Sequence, residues 1–106
     1  MTRRLRWTEH ASTQLGAIAE YVSLTSPVYA EQVVDRVVAR LRQAIAFPES
    51  GRVVAEEDDP KVRELIEMPY RLIYRIREDS IEVLAIVHER QQWHDLAADR
   101  DSGSAS

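Results

Sequence analysis

The stretch "RELIEMPYRLIYRIREDSIEVLAIVHER", Arg63 to Arg90, decides the fold. Its apolar residues recur with a period of two, the mark of strands with a buried face, in three runs: one near Val62 to Met68, then "YRLIYRI" and "IEVLAIVH". The link "REDS" reads as a hairpin turn. With Glu78 and Asp79 in the turn, Arg75 faces Glu82, Ile73 faces Leu84 and Arg71 faces Ile86. This register puts Tyr70, Leu72, Tyr74 and Ile76, with Ile81, Val83, Ala85 and Val87, on one apolar face that must be covered. The opposite face is mixed, with Arg71, Arg75 and Glu82.

Working back from these strands, the period becomes helical. Ala11, Leu15, Ile18 and Val22 form one stripe and follow Thr8, a candidate N-cap after a short strand in "RRLRW". Ser26 and Pro27 open a second helix that runs to about Phe47, with Pro27 at the first helical position, where no donor is lost. Its wide apolar face holds Ala30, Val33, Val34, Val37, Val38, Leu41 and Ile45. So short a link between two helices makes them an antiparallel hairpin. The predicted fold class is therefore α+β: a two-helix hairpin packed on a small twisted antiparallel sheet, with a short C-terminal helix in "QQWHDLAA". Residues 1–98 form one domain and residues 99–106 a polar tail expected to be disordered. The expected core is Leu15, Ile18, Val22, Val34, Val37, Val38, Leu41, Leu72, Tyr74, Val83 and Ala85.

Composition narrows the function classes. The chain has 106 residues, 44% of them hydrophobic and 30% charged, and no apolar run long enough to span a bilayer. With no secretory leader pattern at the N-terminus, a cytoplasmic location is expected. The absence of Cys rules out thiolate chemistry and disulfides. A net charge of −4 argues against stable, non-specific binding to nucleic acid, which needs a cationic surplus. Nearly all the basic charge is arginine, suited to bidentate contacts with carboxylate or phosphate.

Two sets of residues could carry a function. Arg71 and His88 fall on one sheet face in the predicted register, with Glu64 near them. Such a group could cleave RNA, with His88 as acid or base, Arg71 stabilising the phosphorane and Glu64 accepting the 2′-hydroxyl proton. The same residues also read as a solvated ladder of opposite charges, and this simpler reading carries more weight. Separately, Val28, Tyr29 and Val33 near the hairpin are more apolar than an isolated surface requires, and a partner helix or strand could dock beside them. No phosphate loop, nucleophile elbow or compact metal-ligand spacing is present.

The order of "LGAIAEYVSLTSPVYAEQVVDRV", "FPESGRVV", "VRELIEMPYRLIYRI" and "IEVLAIVHER" resembles the ParE toxins of the RelE/ParE superfamily, from Trp7 to about Trp93. The resemblance implies the toxin of a bacterial type II toxin-antitoxin module, a cognate ParD-like antitoxin that wraps it, and DNA gyrase as the target. Growth arrest and plasmid stabilisation would follow. Arg63 and Glu64 match the family's strand motif, Pro69, Tyr70 and Arg71 its turn, Tyr74 and Arg75 its next strand, and His88 and Arg90 its ending. In the ParE branch these positions imply fold and binding determinants, so that Arg63, Arg71, Arg75, His88, Arg90, Trp93, Val28, Tyr29 and Val33 form the expected partner-binding set. No catalytic residue, metal or cofactor is then expected. The RelE branch implies instead a ribosome-dependent mRNA endonuclease using Arg71, His88 and Glu64, an alternative against which the acidic charge counts. An inactive homologue is the remaining alternative.

Overall fold

A computed structural model describes residues 3–91. Trp93, the expected C-terminal helix and the tail lie outside the described residues. Along the chain the elements are β1 (Arg4–Trp7), α1 (Glu9–Ser23), α2 (Pro27–Ala46), β2 (Arg52–Val53), β3 (Val62–Glu67), β4 (Tyr70–Ile76) and β5 (Ser80–His88), with a 3-10 turn at Pro48–Ser50. The five strands lie in the order β1-β5-β4-β3-β2.

Capping explains where the helices begin. Ser26 accepts a hydrogen bond from Tyr29 N at 3.1 Å, with Pro27 opening α2. Thr8 has two tasks: its hydroxyl accepts from Ala11 N at 3.1 Å and donates to Val83 O at 2.8 Å. One side chain thus caps α1 and ties the end of β1 to β5.

The sheet is mixed rather than wholly antiparallel as the sequence suggested. β1 runs parallel to β5, pairing Arg4 with Ser80 through Trp7 with Val83, whereas β2, β3, β4 and β5 pair antiparallel. A parallel partner needs a long crossover, and here the two helices and three strands between β1 and β5 supply it. Past Trp7 there is no β1 partner for β5, and Gln14 of α1 takes over by accepting from Ile86 N at 2.8 Å.

The hairpin of β4 and β5 begins in the expected register, with Ile76 opposite Ile81 and Arg75 opposite Glu82. It then departs from it. Tyr74 pairs with Val83 but Ile73 pairs with Ala85, so Leu84 is an extra residue, a β-bulge. The expected pairs Ile73 with Leu84 and Arg71 with Ile86 become Ile73 with Ala85 and Arg71 with Val87. "VLAIV" is apolar at every position, so alternation does not say which face each residue takes, and packing decides.

The outcome is two cores. On the helix side Val33, Val37, Leu41 and Ala44 pack with Leu65, Leu72, Tyr74, Ile81, Val83 and Ile86. On the other side Val54, Val62, Ile73, Leu84, Ala85 and Val87 cluster. Ala85 and Val87 therefore face away from the helices, contrary to the sequence expectation, while Ile86 faces them. Of the expected core, Val37, Leu41, Leu72, Tyr74, Val83 and Ala85 are buried, and Leu15, Ile18, Val22, Val34 and Val38 are half-buried.

Gly51 is required by space rather than by backbone angle. A Cβ there would lie 2.5 Å from Tyr74 Oη and 2.7 Å from Glu64 O. The contact is used: Gly51 N donates to the Tyr74 hydroxyl at 3.1 Å, which donates to Pro48 O at 2.7 Å. This anchors the end of α2 to the middle of the sheet.

Candidate functional site

The bulge at Leu84 governs the candidate site. Beyond it, Arg71 pairs with Val87 and Tyr70 with His88. Since successive residues of a strand take opposite faces, Arg71 and His88 are on opposite sides of the sheet.

Glu64 stays with Arg71, and both are buried, at 3% and 8% exposure. The Arg71 guanidinium reaches Glu64 through Nε to Oε1 at 3.1 Å and Nη2 to Oε2 at 2.7 Å. It reaches Glu56 through Nη1 to Oε2 at 2.9 Å and Nη2 to Oε1 at 3.0 Å, and the carbonyl of Gln91 through Nη1 at 2.9 Å. A guanidinium has five N–H donors, and these five bonds use all of them. The Glu56 and Glu64 hydrogen bonds, in that order, raise the Arg71 pKa above its ordinary value. Arg52 adds a contact from the rim, Nη2 to Glu64 Oε1 at 3.1 Å. Beside the cluster is an open cleft of about 750 Å³ whose lining includes Val53, Ile66, Met68 and Glu89.

His88 belongs to a different surface. Its ring meets Tyr70 edge-on at 6.4 Å between centroids, and its Nδ1 accepts from Arg90 N at 3.2 Å. With Tyr70, Gln14, Ile18, Tyr21 and Ile86 it lines a groove between α1 and the sheet. Burial is the first cause, and the charge of Tyr29 the second, that raise the Tyr70 pKa.

The other expected partner residues are scattered. Arg63 is spent on backbone carbonyls, Pro60 O at 2.8 Å and Gly51 O at 3.1 Å, and so braces the segment between the 3-10 turn and β3. Arg75 pairs with Asp59 at 2.8 Å, while Glu82, its neighbour across the ladder, pairs with Arg77 at 2.9 Å. Arg90 is exposed beside His88. Val28 and Tyr29 are exposed, at 67% and 47%, but Val33 is core at 7%.

Sequence reasoning missed Glu56, which sits in the acidic stretch "EEDDP" that reads as a solvated loop. The available signal was charge balance: one buried arginine among apolar neighbours requires carboxylates, and this stretch is rich in them. Among the described residues no group of three or more His, Asp or Glu could hold a metal ion, and no helix is long and apolar enough to cross a membrane.

A family model described as "ParE toxin of type II toxin-antitoxin system, parDE" matches residues 5–93. The chain belongs to the ParE toxin family. It is thus the toxin of a type II toxin-antitoxin pair, and the family implies an antitoxin partner. The "Putative toxin Y4kP" of Sinorhizobium fredii is 34% identical over 93 residues, covering 86% of this chain and 93% of that protein. A solved chain of the "Chromosomal ParDE TA system from P. aeruginosa" superposes with a TM-score of 0.66 at 29% identity, covering 82% of this chain and 96% of that one. The α+β fold described above matches that structure.

Proposed function

We propose that this ParE-family toxin acts on DNA gyrase in the cytoplasm, trapping it on cleaved DNA and arresting growth, and that a cognate ParD-like antitoxin silences it by docking on the helical hairpin. The observation that carries this reading over RNA cleavage is the state of Arg71. All five of its donors are held by Glu56, Glu64 and Gln91. None is left for a phosphate in a transition state, and His88 lies across the sheet. An arrangement of this kind holds the fold, and leaves action by binding as the better-supported mode.

For the antitoxin, the outer groove between α1 and α2 offers a floor of Ala19, Ala30 and Val34 rimmed by Glu20, Glu31 and Asp35, with about 500 Å³ of space. Val28, near the start of α2, is a further exposed apolar residue. An amphipathic helix with a basic flank suits such a groove.

The test is supercoiling of relaxed plasmid by purified gyrase, with and without antitoxin-free protein. Loss of supercoiling with accumulation of linear, cleaved plasmid is the expected result. Undiminished supercoiling without cleavage would overturn the proposal, and fragmentation of mRNA by programmed ribosomes in its place would return the weight to nuclease activity.

A further inference from the structure

The connection between β2 and β3 is longer than its task requires. The two strands are antiparallel neighbours, for which a loop of about two to five residues is usual, yet residues 54–61 separate them. The extra length carries the chain over β3 to β4. Glu56 reaches Arg71 at 2.9 Å and Asp59 reaches Arg75 at 2.8 Å. The two arginines share the face of β4 away from the helices, about 13 Å apart along the strand. Residues 55–59 are thus clasped to β4 on either side of Ile73, which belongs to the second core.

Both ends of the clasped stretch are fixed. Val54 is fully buried in the second core, Pro60 O accepts from Arg63 Nε at 2.8 Å and Lys61 O accepts from Ile76 N at 2.9 Å. One hydrogen bond spans each boundary: Glu57 N donates to Val54 O at 3.2 Å, and Val62 N to Asp59 O at 3.0 Å. Between the boundaries Ala55 and Asp58 are exposed. The two clasps differ in setting. The Arg71–Glu56 pair is nearly out of water, whereas the side chains of Arg75 and Asp59 are 29% and 35% exposed and so open to screening by salt.

Release of Glu56 does not strand the arginine. Arg71 keeps both bonds to Glu64 and the one to Gln91 O while the freed carboxylate enters water, so no unpaired charge stays buried. Ala55 and Glu56 also line the cleft of about 750 Å³ beside Arg71, and moving them enlarges it toward Ile73. We propose that residues 55–59 are a gate on the sheet face away from the helices, swinging out as one unit about Val54 and Pro60 and opening the cleft onto the second core. The Arg71 clasp sets how often the gate opens, and the Arg75 clasp adjusts this with ionic strength. Both clasps are on β4, on the side away from α1 and α2, so the gate is separate from the hairpin groove and holds whatever the toxin's target.

The experiment follows amide hydrogen exchange of the full chain by NMR, with the Glu57 and Val62 amides reporting the two boundaries and those of Leu72 and Val83 reporting the sheet. Glu56→Ala is expected to lower protection at Glu57 and Val62 together by at least about tenfold and to leave Leu72 and Val83 unchanged. Asp59→Asn, which keeps the acceptor for Lys61 N, should lower the same two by about two- to threefold. In 1 M NaCl, where screening acts over about 3 Å, the wild type should approach the Asp59→Asn level and stay well short of the Glu56→Ala level. Should Glu56→Ala fail to fold, Glu56→Gln serves in its place with a smaller loss of protection in the same direction. Unchanged protection at Glu57, loss at one boundary without the other, or an equal loss at Leu72 and Val83 would overturn the proposal. The first would show that the clasp holds nothing shut, the second that the stretch does not move as a unit, and the third that the whole domain opens instead.

Discussion

Replacing Arg71 by Ala is the substitution whose cost separates a buried structural arginine from an exposed recognition residue. As an exposed ion pair it would contribute about 0–1 kcal/mol. The structure makes it the centre of a buried cluster instead, with its side chain 9% exposed and those of its partners Glu64 and Glu56 3% and 14%. Truncation leaves Glu64 charged and desolvated, with only the largely exposed Arg52 near it. Breaking a buried pair from one side costs about 3–5 kcal/mol. A domain of this size has roughly 5–15 kcal/mol in total. The expected fall in melting temperature is therefore upwards of about 12 °C, since 1 kcal/mol shifts a domain near this size by about 4–8 °C. Thermal melting followed by circular dichroism measures it, and urea denaturation measures the loss of free energy. Arg71→Lys keeps the charge but not the two forked contacts and should fall between the two. Removing the charges together, with Glu64→Leu added to Arg71→Met, should recover much of the loss, because an apolar replacement leaves nothing unpaired. If Arg71→Ala melts within about 1 kcal/mol of the wild type, the burial argument is refuted and the arginine is a surface residue.

Three further outcomes follow from the same geometry. His88→Ala, at an exposed position outside both cores, should change stability by no more than about 0.5 kcal/mol and leave toxicity in an expression assay intact; toxicity abolished together with mRNA cleavage would refute the non-catalytic reading of this residue. Gly51→Ala forces a methyl against Tyr74 Oη and Glu64 O and should cost about 1–3 kcal/mol, measured by thermal melting. Burial, ahead of its other influences, raises the Tyr74 pKa, so the folded state holds this proton more tightly than the unfolded chain does. That contribution is intact below the unfolded value of about 10 and is lost as pH rises through the folded one, so melting temperature should decline above about pH 10. Tyr74→Phe should flatten part of the decline, with Tyr70, whose pKa is also raised, supplying some of the rest.

The helices were legible because their signals are local. Ser26 followed by Pro27, Thr8 before the first stripe and the spacing of Val37 and Leu41 each act within a few residues. The pairing of Arg75 with Glu82 was legible for the same reason, being one turn away from "REDS". What escaped depends on distant segments meeting. The parallel pairing of β1 with β5 joins the two ends of the described chain. The burial of Arg71 requires Glu56 to fold back from a loop that reads as solvated. Nor does any residue announce the bulge: Leu84 is ordinary, and none of the described residues has a positive φ to mark it.

That bulge also determines how site residues can be carried from one relative to another. In β5 what places a side chain is parity, an odd or even count of residues from the turn. A relative one residue shorter at Leu84, with a straight strand, would keep its histidine beside the tyrosine of β4, the same protein in space. A relative of equal length whose strand runs straight would turn that histidine to the arginine's side, and two sequences identical at every site position could then present opposite constellations. Identity compares letters, whereas the sheet sorts them by parity, and in this fold one backbone irregularity is enough to separate a cluster of charges from a possible catalyst.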